Sequence, residues 1–94
     1  MDLEFTWDEK KAEQNWRKHG VSFQEAKSVF DDPLCQTYPD PGHSTSEERV
    51  TVGYSDADRL IMVSHSHRGL YARITNARLP TRKERLDYER FDRE

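Results

Sequence analysis

The side chains equipped for chemistry in this sequence are basic and aromatic rather than acidic or thiol. Between positions 59 and 85 stand seven basic residues, Arg59, Arg68, Arg73, Arg78, Arg82, Lys83 and Arg85, against a single acid, Glu84. That set suits phosphodiester chemistry on RNA. Metal-free RNA cleavage uses the substrate's own 2′-OH as nucleophile. It needs a base to take that proton, cations to stabilise the crowded phosphorane, and an acid for the departing 5′ oxygen. Histidine, lysine, arginine and tyrosine supply all three without a carboxylate pair, and arginine's planar fork matches a phosphate in bidentate fashion. The catalytic candidates are Arg73 and Arg78 on the last predicted strand, His65 beside it, and Lys18 with His19 at the end of the first predicted helix. Lys11, Arg49, Arg82, Lys83 and Tyr88 complete the set as RNA-binding candidates.

Each has a plainer reading. Lys18 and His19 stand where positive charge favourably meets a helix C-terminus, a contribution of about 0.3–1 kcal/mol with no function attached. His19 also shares a helical stripe with Ala12 and Trp16, as a core histidine would. Arg82 and Lys83 fall in a first helical turn, where the dipole disfavours them, which is modest evidence for a binding role. Arg73 and Arg78 face opposite sides of a regular strand, and serve one site only if a bulge or strand end intervenes.

Other chemistries find less support. No P-loop, Rossmann turn or nucleophile elbow is present. Asp31-Asp32 and Glu47-Glu48 are adjacent acids on exposed segments, not a catalytic dyad. His65 and His67, with Cys35 or His43, have spacing that zinc tolerates, but neither CxxC nor HExxH accompanies them. No metal and no cofactor are expected.

The elements that must position these residues follow from local signals. Phe5-Thr6-Trp7 alternates as a short strand, and Asp8 is an N-cap for a helix over 9–19 that Gly20 ends. Ser22-Phe23-Gln24-Glu25 is a capping box opening a second helix with Phe23, Ala26 and Phe30 inward, stopped by Asp31-Asp32-Pro33. A brief strand at 34–38 and a loop over 39–46 precede three strand-like runs, 49–55, 59–66 and 70–78. Their short connections predict an antiparallel meander. Thr81-Arg82-Lys83-Glu84 opens a C-terminal helix, weakly amphipathic through Glu84, Tyr88 and Phe91, which is expected to fray or to need a partner. The expected fold is therefore α+β: an antiparallel sheet meander with two N-terminal helices and a C-terminal helix, packed mainly on one face and leaving the other open.

The 94 residues suit one domain, 1–94. Hydrophobic residues make up 33% and charged ones 35%, but the net charge is only −3, which favours a modest core over a disordered tail. The charge divides unevenly, −7 over 1–58 and +4 over 59–94, so the C-terminal part is fitted to a polyanion or an acidic partner. No apolar run approaches ~18 residues and no signal-peptide pattern is seen, so neither a membrane span nor Sec secretion is expected. One cysteine, Cys35, fits a reducing cytoplasm.

Beyond these physical readings, the sequence resembles the BrnT family. The resemblance lies in Trp7-Asp8, Asn15, the run from Lys18-His19-Gly20 through Ala26, and Phe30. It continues in His43-Ser44, Glu47-Glu48-Arg49, Gly53-Tyr54-Ser55, Arg73-Ile74-Thr75-Asn76-Ala77-Arg78, Thr81, Glu84 and Tyr88. One departure is Thr75-Asn76, where the family commonly has a more apolar residue followed by serine. The resemblance implies a type II toxin with a RelE-like ribonuclease fold, RNA cleavage that arrests translation, and neutralisation by a BrnA-like ribbon-helix-helix antitoxin. It also implies operator DNA binding only through the antitoxin complex. The alternative is a non-catalytic protein-binding module that keeps only its antitoxin or co-repressor contacts, since the sequence shows no clear acid–base pair.

Overall fold

Asp8 starts the first helix as its sequence position predicts: one carboxylate oxygen accepts from the backbone N–H groups of Lys10 and Lys11 at 2.8 and 3.2 Å. Gly20 ends that helix at φ 68°, donating its N–H to the Trp16 carbonyl, a conformation that costs glycine nothing. Ser22 caps the second helix through the Glu25 N–H at 3.0 Å. In the computed structural model, which describes residues 3–40 and 48–92, the elements run in the following order. They are β1 (Glu4–Thr6), α1 (Glu9–His19), α2 (Phe23–Ser28) with a 3₁₀ turn at Val29–Asp31, β2 (Gln36–Pro39), β3 (Glu48–Tyr54), β4 (Leu60–Arg68), β5 (Tyr71–Arg78) and α3 (Arg82–Asp92). His43, Ser44 and Glu47 lie outside the described residues, as does the side chain of Phe91.

The five strands form one sheet in the order β1-β5-β4-β3-β2. β2 through β5 are antiparallel neighbours, but β1 lies parallel to β5, with Phe5 opposite Ala72. The pure antiparallel meander is thus corrected to a mixed sheet. Short turns dictate antiparallel pairing only where they exist, and β1 reaches β5 across most of the chain.

Register breaks once. Ser64 pairs with Asn76 but His65 pairs with Ile74, which leaves Thr75 without a partner and creates a β-bulge. A residue inserted this way shifts the period-two alternation by one. Arg73, Asn76 and Arg78 consequently share one face of β5, while Ile74 and Ala77 share the other. The opposite-face expectation for Arg73 and Arg78 held only for a regular strand.

Both faces are covered in part, which corrects the expectation that the helices gather mainly on one. α1 and α2 pack Val21, Phe23, Ala26 and Val29 against Ile61, Val63, Ile74 and Ala77. On the second face Tyr88 of α3 seals Val50, Val52, Leu60 and Met62. This burial supplies α3, through the Tyr88 ring, with an apolar contact that its weak amphipathicity does not provide by itself. Past α3, toward β5 and β1, the second face stays open, with Glu4, Tyr71 and Arg73 exposed.

The stripe assigned to α1 is also corrected. Trp16 is 57% exposed, whereas Asn15 on the neighbouring stripe is buried. The reason is a pairing 62 residues away. The Asn15 amide donates to the carbonyls of Ala77 at 2.7 Å and Val21 at 3.0 Å, and accepts from the Ala77 N–H at 3.0 Å. β1 pairs with only the first part of β5, so one side chain satisfies the β5 backbone where that strand ends. Gly53, at the close approach of β3 to the 3₁₀ turn, has no room for a Cβ: one placed there would lie 2.8 Å from Cys35 Cβ.

Candidate functional site

On α1, positions 11, 14, 15 and 18 recur at helical spacing and face the unpaired side of β5. Lys11, Gln14, Asn15, Lys18 and His19 there form a groove of about 230 Å³ with Thr75 and Asn76. The opposite face of α1 sends Glu9, Glu13 and Trp16 to a different hollow with Trp7 and Phe23. The helix thereby sorts its charge, and no carboxylate lines the groove on the β5 side. Neither lysine ammonium makes an ion pair among the described residues, so the groove is open to an anion.

The bulge shapes the far wall. Thr75 donates its hydroxyl to the Ser64 carbonyl at 3.2 Å, which pins the irregular backbone. Asn76, half-buried, belongs both to the groove wall and to the sheet face that carries Arg73. Arg73 stands on that open face opposite Ser66, beside Thr6 of β1, exposed and with no side-chain partner among the described residues. Arg73 and the Lys11–Lys18–His19 group therefore flank the same stretch of β5.

The remaining sequence candidates lie elsewhere. Arg78 shares the Arg73 face, but its guanidinium makes a bidentate pair with Glu84 at 2.8 and 2.9 Å. Those hydrogen bonds from Arg78, helped by the Thr81 N–H, hold the Glu84 carboxyl down at about 2 against the opposing effect of its partial burial. Glu84 also completes the capping box with Thr81, so Arg78 clamps the start of α3 to the sheet.

His65 is fully buried on the opposite face, among the rings under α2. Its Nε2 meets the Thr51 hydroxyl at 2.8 Å, Thr51 meets Thr37 at 2.7 Å, and its Nδ1 has no partner among the described residues. Burial, with the charges of His67 and Arg49 adding, pushes its pKa down to about 4, so the ring is neutral at pH 7. The sheet itself stands between His65 and Arg73, and the structure does not unite them at one site. Arg49 is on the His65 side, its guanidinium bonded to the Glu48 carbonyl at 3.0 Å. Tyr88 is spent in the second core, donating its hydroxyl to the Leu34 carbonyl at 3.1 Å. Arg82 and Lys83 are exposed in the first turn of α3, away from the groove. Among the described residues no three His, Cys, Asp or Glu side chains gather to hold a metal ion.

Sequence reasoning missed Gln14, Thr75 and Asn76 as groove residues, and Asn15 as the residue that builds its floor. Only the Thr75-Asn76 departure within the arginine-flanked segment drew attention to that wall. A cationic groove at a sheet edge, with an unpartnered arginine beyond it, can seat a phosphodiester chain.

The family profile described as "Ribonuclease toxin, BrnT, of type II toxin-antitoxin system" matches residues 7–84. The chain belongs to the BrnT family. Every groove residue, both β5 arginines and Glu84 fall inside the matched BrnT segment. The fold is similar to that of a solved BrnT, the Brucella abortus ribonuclease toxin, with a TM-score of 0.67 at 18% sequence identity. That likeness covers 85% of this chain and 99% of the other. No curated protein matches the sequence. Among the described residues of this BrnT, no helix is long and apolar enough to cross a membrane.

Proposed function

We propose that this BrnT toxin cleaves RNA without a metal ion, arrests translation by doing so, and is held inactive in the cytoplasm by a BrnA-like ribbon-helix-helix antitoxin. The observation that carries the reading is the cationic strip along β5: Arg73 on its open face, and Lys11, Lys18 and His19 across the groove at its edge, with no carboxylate in that groove. Arg73 is the phosphate clamp, two of its five N–H groups donating to the non-bridging oxygens. His19 takes the proton of the 2′-OH as that oxygen attacks phosphorus. The P–O5′ bond breaks, the 5′ oxygen takes a proton from water, and a 2′,3′-cyclic phosphate remains. Lys18 offsets the charge that builds on the phosphorane, and Lys11 holds the RNA beside it. His65, Tyr88 and Arg78 do their work in the cores and at the α3 clamp, so the mechanism asks nothing of them.

The test is incubation of the purified protein with defined RNA in EDTA, followed by end-group analysis. The expected result is cleavage that leaves 2′,3′-cyclic phosphates and falls by about a hundredfold or more in Arg73→Ala. Because Arg73 is exposed and unpaired, that variant should keep its stability to within about 0.5 kcal/mol. Cleavage only after metal is added refutes the mechanism, and full activity in a folded Arg73→Ala protein refutes the site. Intact RNA together with tight antitoxin binding selects the binding-module alternative.

A further inference from the structure

We infer that the groove between α1 and the edge of β5 is a single-nucleotide subsite in which Asn76 reads the base, favouring the keto bases guanine and uracil. The inference rests on the proposed RNA reading and adds a specificity-determining residue to it. Three residues that bear amides line the groove, and they are not equivalent. Asn15 is consumed by the backbone of Val21 and Ala77. Gln14 is exposed at the rim. Asn76 is half-buried, and its amide has no hydrogen-bond partner among the described residues. Its nitrogen and oxygen still reach solvent, so a donor and an acceptor both stand free for a ligand.

The amide is also held in place. The unpaired residue before it, Thr75, is pinned through its hydroxyl to Ser64, and the residue after it, Ala77, is pinned on both backbone groups by Asn15. A recognition residue on a backbone fixed from both sides loses little freedom on binding. The groove, about 230 Å³, matches a single nucleotide rather than a duplex. Single-stranded RNA is in any case the form whose base edges a protein can reach.

The choice of base follows from the donors present. Lys11 and Lys18 only donate hydrogen bonds, and no carboxylate accepts within the groove. Guanine and uracil place a carbonyl oxygen next to a ring N–H. That carbonyl accepts from the Asn76 Nδ2 or a lysine ammonium, while the ring N–H donates to Asn76 Oδ1. An amide pairs adenine as readily, so the choice falls to Lys11: where guanine and uracil offer it a carbonyl, adenine and cytosine present an amino group, itself a donor.

Sequencing the ends released from a mixed-sequence single-stranded RNA tests this directly. The expected result is cleavage beside guanine or uracil in preference to adenine or cytosine. In Asn76→Leu, which keeps the size but removes both the donor and the acceptor, the keto-to-amino ratio should fall by about tenfold or more. An unchanged ratio in that variant, or no base preference in the unaltered protein, overturns the inference. If the protein cleaves no RNA, the enzymatic reading fails by itself, and calorimetry with 3′-GMP and 3′-AMP decides the subsite. Tighter binding of 3′-GMP, lost in the Lys11→Gln/Lys18→Gln double variant, supports it; equal binding of the two nucleotides overturns it.

Discussion

His65 makes this protein acid-sensitive in a window that can be calculated. The unfolded chain takes up a proton on this ring near the ordinary 6.5, whereas the native ring, buried and flanked by His67 and Arg49, resists until about 4. Between those values the unfolded state binds more protons, so stability is intact above pH 6.5 and declines as the pH falls toward 4. The gap corresponds to about 3 kcal/mol in full, and to roughly 2 kcal/mol at pH 5. For a domain of this size that is a drop in Tm of roughly 8–16 °C between pH 7.5 and 5. Glu25 and Glu84 have carboxyls held below the ordinary 4.5 by their arginine partners, so their share of the acid loss begins lower, and a comparison at pH 5 stays clear of it. The assay is thermal or urea unfolding of wild type and His65→Gln at the two pH values. Glutamine cannot titrate and can still reach Thr51. The variant should lose markedly less stability on acidification than wild type. Equal losses in the two proteins would show that His65 does not control the transition, and would refute its assignment as a neutral core histidine.

Two further substitutions test the architecture. Asn15→Ala removes three hydrogen bonds and strands the Ala77 N–H together with two carbonyls, so it should cost about 3 kcal/mol, read from the urea midpoint. Gly53→Ala forces a Cβ to within 2.8 Å of Cys35 Cβ and 3.2 Å of Val29 Cγ1, both on packed elements, and should destabilise by about 1–3 kcal/mol in the same assay.

What the sequence made legible was local. Asp8, Gly20, Ser22 and Thr81 are signals that act over a few residues, and each cap is observed where its spacing placed it. What it concealed depends on distant partners. Trp16 sits on an apolar stripe with Ala12, yet helix geometry alone does not say which stripe meets the sheet. The decision lies with Asn15, whose partner Ala77 is 62 residues away. The β1–β5 pairing is similarly non-local, and no turn announces it. The bulge was the best hidden of these features. Arg73 and Arg78 are five positions apart and read as opposed, and only the pairing of β4 with β5 reveals that Thr75 is skipped. His65 shares one face of β4 with Ile61 and Val63, but nothing local told that this face would be sealed, and so the ring read as a candidate for chemistry.

The groove's two walls come from residues 11–19 and 75–76, and its floor is the Asn15 bridge to Ala77. During synthesis, then, α1 leaves the ribosome long before the strand that completes the groove exists. A nascent chain carries the lysines and the histidine but not the cleft that aligns them. The groove therefore exists only once β5 has emerged and docked, so the geometry ties this surface to the completion of the sheet.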